Sequence, residues 1–470
     1  MTVIDELRRA LGDDAILTEG AIVERHRSDA SQTGRHLPKA VLRPASVAAV
    51  AAALRICNAH RQSVVPQGGL TGLAGAANPA PADFALSLER LSGIEEIDAA
   101  AGTMTVMAGT PLEAAQNAAA AQGFLLPIDL GSRGSCQIGG TLSTNAGGIR
   151  VIRHGVTREN VLGLEAVLAD GTVLTMLNKM AKNNTGYDLR QLFIGAEGTL
   201  GVITRAVLRL KPLPDGRSTA LCALAAYDDV VVLLGRARGE LAGLSAFEAM
   251  WQGYFRFNSE AEGLRLFDDA PAFAVIVETE GTSHGPSLEA FLEGALTDGL
   301  IADALVAQSE KERRSFWMVR EGLAMDRLLP SLVNLDVSMA TGSLGAFAAA
   351  CAEALDRRFP GCHVSFYGHI GDSNLHVSVS VAGASEADLH DIDTIAYRLV
   401  AGYGGSISAE HGIGTLKRDY LGYSRKPEEL EVMRRIKSAL DPNAILNPGK
   451  VLKPFDPSHH NDMKQHEAER

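Results

Sequence analysis

Basic charge, clustered cysteine and long apolar runs are all scarce in this 470-residue chain. With 44 Lys and Arg against 56 Asp and Glu, the formal charge is −12. That argues against broad capture of nucleic acid, which needs clustered cations to displace counterions. Five cysteines (Cys57, Cys136, Cys222, Cys351, Cys362) are scattered without CxxC spacing, which points to reduced thiols and away from disulfides, thiolate zinc sites and iron–sulfur clusters. No apolar run approaches the ~18 residues that mark a transmembrane helix, and MTVIDELRRALGDDAILTEG has no charged-then-apolar leader pattern. A cytoplasmic protein with no transmembrane segment is expected.

What the chain does have is size, apolar content and glycine. At 46% hydrophobic and 48 Gly it can bury two or three domain cores. SVAAVAAALRICNAH predicts a helix capped by Ser46, followed by a short buried strand in RQSVVPQGG. ALSLERLSGIEEIDAAAGTMTVMAGT predicts two alternating strands, PLEAAQNAAAAQG a helix beginning at Pro111, and VLGLEAVLADGTVLTM a hairpin turning at Asp170-Gly171. The prolines of LRLKPLPDGRSTA suggest a domain boundary near residue 214. KPEELEVMRRIKSALDP reads as a late helix, and HHNDMKQHEAER as a polar, mobile tail.

Three glycine loops stand beside apolar strands. PQGGLTG places Gly68, Gly69 and Gly72 where backbone N–H groups can approach an anion with no Cβ in the way. It is neither a P-loop, since no Gly-Lys-Ser/Thr follows, nor the dinucleotide fingerprint. GSCQIGGTLSTNAGG adds hydroxyls and an amide suited to ribityl, phosphate or ring carbonyl groups. In GAEGTLGVIT, Gly198 and Gly201 can admit a flat ligand.

The ordered set PQGGLTG, GSCQIGGTLSTNAGG, GAEGTLGVIT, GHIGDSNLH, EHGIG and ILNPGKV resembles the FAD-linked D-2-hydroxy-acid dehydrogenases over nearly the whole chain. The resemblance covers D-2-hydroxyglutarate and D-lactate dehydrogenases and the glycolate oxidase catalytic subunit. It implies an α+β fold with a two-part flavin domain of vanillyl-alcohol-oxidase type (1–213), an α+β substrate and metal-binding cap (214–418), a helical return to the flavin domain (419–455) and the tail (456–470). It implies FAD, its pyrophosphate against Pro66, Gly68, Gly69, Leu70, Thr71, Gly72 and Leu73. The isoalloxazine would be approached by Ser135, Gly139, Gly140, Thr144, Asn145 and Gly148, with Glu197, Gly198, Gly201, Ile203 and Asn447 completing the pocket. Relatives that attach FAD through the first loop carry His after the Gly pair; Leu70 stands there, so non-covalent flavin is expected.

His369 and His376 are seven apart, which would put them on opposite faces of one regular strand. The turn-forming GDSN between them lets the strand bend so that both converge. Two imidazoles and one carboxylate leave an open coordination position, as in catalytic zinc sites. The resemblance implies His369, His376 and Glu410 as ligands of Zn2+ or another divalent metal, and His411 as the base. A metal lowers the pKa of a bound hydroxyl, and an imidazole near neutrality can take the proton.

The resemblance also assigns Arg320 to the substrate carboxylate, a task its planar fork suits. Three family positions differ: a Thr is Ala324, a Lys is Asn334, and an Asn is Ser378. With Arg320, Asn334, Ser378 and His411 as the substrate-binding set, a second distal carboxylate is harder to hold. A small D-lactate-like 2-hydroxy acid is therefore expected, with D-2-hydroxyglutarate or an oxygen-using oxidase as alternatives. Other classes, a silent flavoprotein subunit or a metal-dependent hydrolase, would lack the metal triad or the flavin colour. An external electron acceptor (quinone, cytochrome or electron-transfer flavoprotein) is expected if oxygen is not used, and a homodimer is among the expected partners.

Overall fold

The structure is a computed structural model that describes residues 1–281 and 287–454; the polar tail lies outside the described residues. Three main sheets organise the α+β chain. The first has the order Ile16–Thr18, Ala40–Leu42, Phe84–Ser87, Val64–Gln67, and its last three strands run parallel. Parallel pairing needs a crossover, and helix Val47–Ala59 supplies it between Ala40–Leu42 and Val64–Gln67, its N-cap Ser46 accepting from the Ala49 N–H.

The second sheet is antiparallel, with Val202–Arg209 at its centre. The Val161–Val167/Val173–Met176 hairpin forms its edge and turns at Asp170-Gly171, where Gly171 has φ +84°. The stretch from Ala85 to Thr110 holds three strands rather than the expected two. Phe84–Ser87 belongs to the first sheet, while Ile94–Asp98 and Thr103–Met107 join the second. Alternation alone does not reveal that the chain changes sheet at Leu88–Gly93. Pro111 caps helix Leu112–Ala120 from outside instead of beginning it, with ψ at +139°.

The third sheet is a seven-stranded antiparallel platform drawn from residues 217 to 380. Its face is apolar and packs under helices Tyr227–Glu240, Leu288–Thr297, Leu344–Arg358 and Glu386–Gly402. The other face carries a second apolar cluster with Tyr254, Phe255, Phe316 and Trp317, among which the carboxylates of Glu248 and Glu278 are buried; Arg150, just past the second glycine loop, pairs with Glu278. Helix Pro427–Leu440 then leads the chain back: the Val64 N–H donates to Ile445 O at 2.8 Å and the Asn447 N–H to Val64 O at 2.8 Å. Among the described residues no helix is long and apolar enough to cross a membrane.

Candidate active site

A cavity of about 650 Å³ runs from the first glycine loop to the histidine and glutamate cluster. Of the residues expected at a cofactor, Pro66, Gly68 to Leu73, Gly139, Gly140, Thr144, Gly148, Glu197, Gly198, Gly201, Ile203 and Asn447 line it. Ser135 and Asn145 stand behind the wall. The Ser135 carbonyl is so close to Gly69 that a Cβ there would meet it at 2.0 Å. Asn145, at φ +51°, ends helix Ile138–Thr144 and accepts from the Arg158 N–H.

The cavity wall fits a phosphorylated, polar cofactor. Among the described residues the N–H groups of Gly69 to Leu73 have no protein acceptor, and Leu70 holds a strained φ of +58° that turns the loop. Among the described residues Gln137 Oε1, Thr141 Oγ1 and Asn447 Oδ1 are buried without hydrogen-bond partners, and all three residues line the cavity. Buried polar atoms are rarely left so; FAD, through its phosphates, ribityl and ring amides, would satisfy them.

His369 and His376 come together through a hairpin, not a bent strand. His363–Gly368 and Asn374–Ser380 are separate antiparallel strands joined by the short 3-10 turn Ile370–Asp372, with Ser373 at φ +70°. The hairpin brings the two rings to 5.2 Å between centroids. Glu410 completes the group: its Oε1 is 3.5 Å from His369 Nε2, and one ligand atom from each of the three lies within 4.8 Å of the others. This donor set fits a divalent metal.

Sequence reasoning missed the carboxylates behind these groups. Glu248, on strand Leu244–Trp251, accepts from His369 Nδ1 at 2.8 Å, leaving Nε2 for a metal in the arrangement that fixes the tautomer of metal-binding imidazoles. Its other oxygen receives Arg320 Nε at 2.7 Å and Nη2 at 2.6 Å. Arg320 therefore lines the cavity already paired with Glu248, and its guanidinium lies 4.7 Å over the Tyr367 ring. Burial lowers the His369 pKa, but Glu248 and Glu410 outweigh it and push the imidazole up to about 9; a metal held at Nε2 would take the place of that proton. Burial raises Glu410 to about 7, reinforced by Asp336, Asp372 and Glu248 and opposed by His369.

The EHGIG loop is held by carboxylates from both halves of the molecule. Glu197 accepts from the Ile413 N–H at 2.7 Å and the Gly414 N–H at 2.8 Å. Gly412, at φ +79°, leaves room for that carboxylate. Asp336 Oδ2 accepts from the N–H groups of Ala409, Glu410 and His411 at 3.1, 2.8 and 3.0 Å. His411 lines the cavity, and burial lowers its pKa against the pull of Asp336. Asn334 and Ser378 do not line the cavity; Ser378 Oγ donates to Asn334 Oδ1 at 2.7 Å across paired strands.

Residues 213–451 match the family described as FAD linked oxidases, C-terminal domain, and residues 38–177 match the FAD binding domain. D-2-hydroxyglutarate dehydrogenase of Xanthomonas citri pv. viticola is 38% identical over 460 residues, covering 96% of this chain and 97% of the relative. The mitochondrial D-2-hydroxyglutarate dehydrogenase of Bos taurus is 38% identical, covering 93% of this chain and 81% of its own. In fold, the chain resembles 4-ethylphenol oxidase from Gulosibacter chungangensis, with TM-score 0.74, 20% identity and 97% of each chain covered. The glycine-lined cavity and the domains matched on either side of it lead to one assignment: the chain is an FAD-dependent oxidoreductase and belongs to the FAD-linked D-2-hydroxy-acid dehydrogenase family.

Proposed function

We propose that this protein oxidises a D-2-hydroxy acid of the D-2-hydroxyglutarate type to its 2-oxo acid, with a divalent metal bound at His369, His376 and Glu410. The carrying observation is that one cavity joins the glycine loops to Arg320, His369, Glu410 and His411. FAD, when bound, would supply the acceptor for the C2 hydrogen and its electron pair, and a metal held by His369, His376 and Glu410 would supply positive charge for the substrate's hydroxyl and carboxylate. His411 takes the hydroxyl proton, and its lowered pKa keeps the ring neutral and able to accept. Glu248 holds the His369 ring, and Arg320 keeps a cation beside the substrate carboxylate although Glu248 shares its charge. Leu70 after the glycine pair supports non-covalent FAD.

The expectation of a lactate-like substrate gives way to the alternative. It rested on Ala324, Asn334 and Ser378, and none of the three lines the cavity; the two relatives described above, which match 96% and 93% of the chain, bear the D-2-hydroxyglutarate name. Side-by-side turnover of D-lactate, D-malate and D-2-hydroxyglutarate with an artificial acceptor tests the reading. D-2-hydroxyglutarate is expected to give the highest kcat/KM, and dominance of D-lactate would restore the smaller substrate. Reduced flavin would pass its electrons to an external carrier.

A further inference from the structure

We propose that Asp336 positions His411 for proton transfer, holding the imidazole with Nδ1 protonated and Nε2 free as the acceptor. The inference rests on the reading that His411 takes the substrate's hydroxyl proton. Asp336 lies on strand Leu332–Ser338, opposite His376 in the register, with no exposed surface. Its Oδ2 gathers the N–H groups of Ala409, Glu410 and His411 and lies 3.9 Å from His411 Nδ1. A negative oxygen on that side favours the tautomer that carries its proton there. The 3.9 Å separation exceeds a hydrogen bond, as is common at catalytic pairs before substrate binds.

A purely structural carboxylate would use both oxygens. Among the described residues Oδ1 instead has no hydrogen-bond partner, although it is buried, and it lies 3.9 Å from Nδ1 of His376. Leaving such an acceptor unmet is costly; His376 Nδ1 faces Oδ1 and His411 Nδ1 faces Oδ2, each at 3.9 Å, so a small approach of either ring would bring an Nδ1–H to this carboxylate. Their rings stand nearly parallel, 22° apart and 6.4 Å between centroids. One carboxylate thus faces Nδ1 of both a proposed metal ligand and the base, and a proton on Nδ1 of each ring leaves its Nε2 unprotonated. Lys417 Nζ, 3.9 Å from Oδ2 and donating to Ser408 Oγ at 3.1 Å, is the other charged group against this carboxylate.

Two measurements on the flavin- and metal-loaded protein decide it. Long-range 1H–15N spectra of histidine-labelled enzyme, with His411→Ala providing the assignment, are expected to show His411 protonated at Nδ1; protonation at Nε2 overturns the proposal even if no variant folds. Asp336→Asn keeps an oxygen for the backbone donors but removes the charge. It is expected to retain flavin and metal and to slow flavin reduction at saturating substrate by at least about 100-fold, with KM changed less than about threefold. Adding His411→Ala is expected to cost nothing further, because the carboxylate acts through the imidazole. A wild-type rate in Asp336→Asn, or losses that multiply in the double variant, would sink the idea. If no 2-hydroxy acid bleaches the wild-type flavin, the functional reading fails instead, while the tautomer remains measurable.

Discussion

Glu410 and His411 are neighbours with different surroundings, and this separates their tasks. The Glu410 carboxylate faces His369 Nε2 at 3.5 Å, whereas the His411 ring sits over Asp336 and opens to the cavity. Glu410→Ala should therefore lose metal while keeping flavin. His411→Ala should keep both and slow flavin reduction by about 100-fold to 10,000-fold, the usual contribution of a positioned base. Metal analysis and stopped-flow bleaching check this, and identical behaviour of the two variants would refute the division. These residues are legible in sequence because each motif is local: His369 and His376 share a hairpin, and Glu410 and His411 are adjacent. Glu248 is not legible that way, since it meets His369 across 121 residues. Its trace is a charge at an inward position of an apolar strand, LSAFEAMW, as Asp336 is in LVNLDVS. Such a charge is expensive to bury unless something pairs with it.

At the scale of elements, the helix that carries Arg320 depends on how it stops. Glu310–Glu321 begins at Ser309, whose hydroxyl accepts from the Glu312 N–H, and ends at Gly322 in the left-handed region at φ +66°. Tyr254 closes the end by donating its hydroxyl to the Arg320 carbonyl at 2.8 Å. A Cβ at Gly322 would meet that hydroxyl at 2.0 Å. Gly322→Ala should thus destabilise the protein by more than the roughly 1 kcal/mol that a left-handed position costs an alanine, and it should raise the substrate KM by displacing Arg320. Tyr254→Phe removes the clashing oxygen, so the double variant should unfold later than the sum of the single losses predicts. Denaturant midpoints test this; strict additivity would show that the hydroxyl does not set the helix end. The sequence announced the N-terminal helices and turns through caps and glycines, but not this contact, because Tyr254 and Gly322 are distant in the chain and meet only in the folded structure.

For the whole molecule, the joint between the two halves is a cluster of buried charge. Arg150, two residues past the second glycine loop, is 8% exposed and pairs with Glu278 and with Glu280 on strand Phe273–Glu280 of the seven-stranded sheet. Arg217, Arg153 and His154 also face Glu280. Burial alone would raise the Glu280 carboxyl, but His154, Arg150 and Arg217 prevail and hold it down at about 2. The folded state therefore binds its proton less readily than the unfolded chain. The resulting stability is fully present above the unfolded value of 4.5 and is lost as pH falls through about 2, a contribution of about 3 kcal/mol at neutral pH. Acid titration of the thermal midpoint should show a steep loss across that window. Glu280→Gln should flatten the loss and, by leaving the arginines without that carboxylate, lower the midpoint at pH 7. An unchanged acid profile in Glu280→Gln would mean that the joint draws its stability from packing, not from this charge.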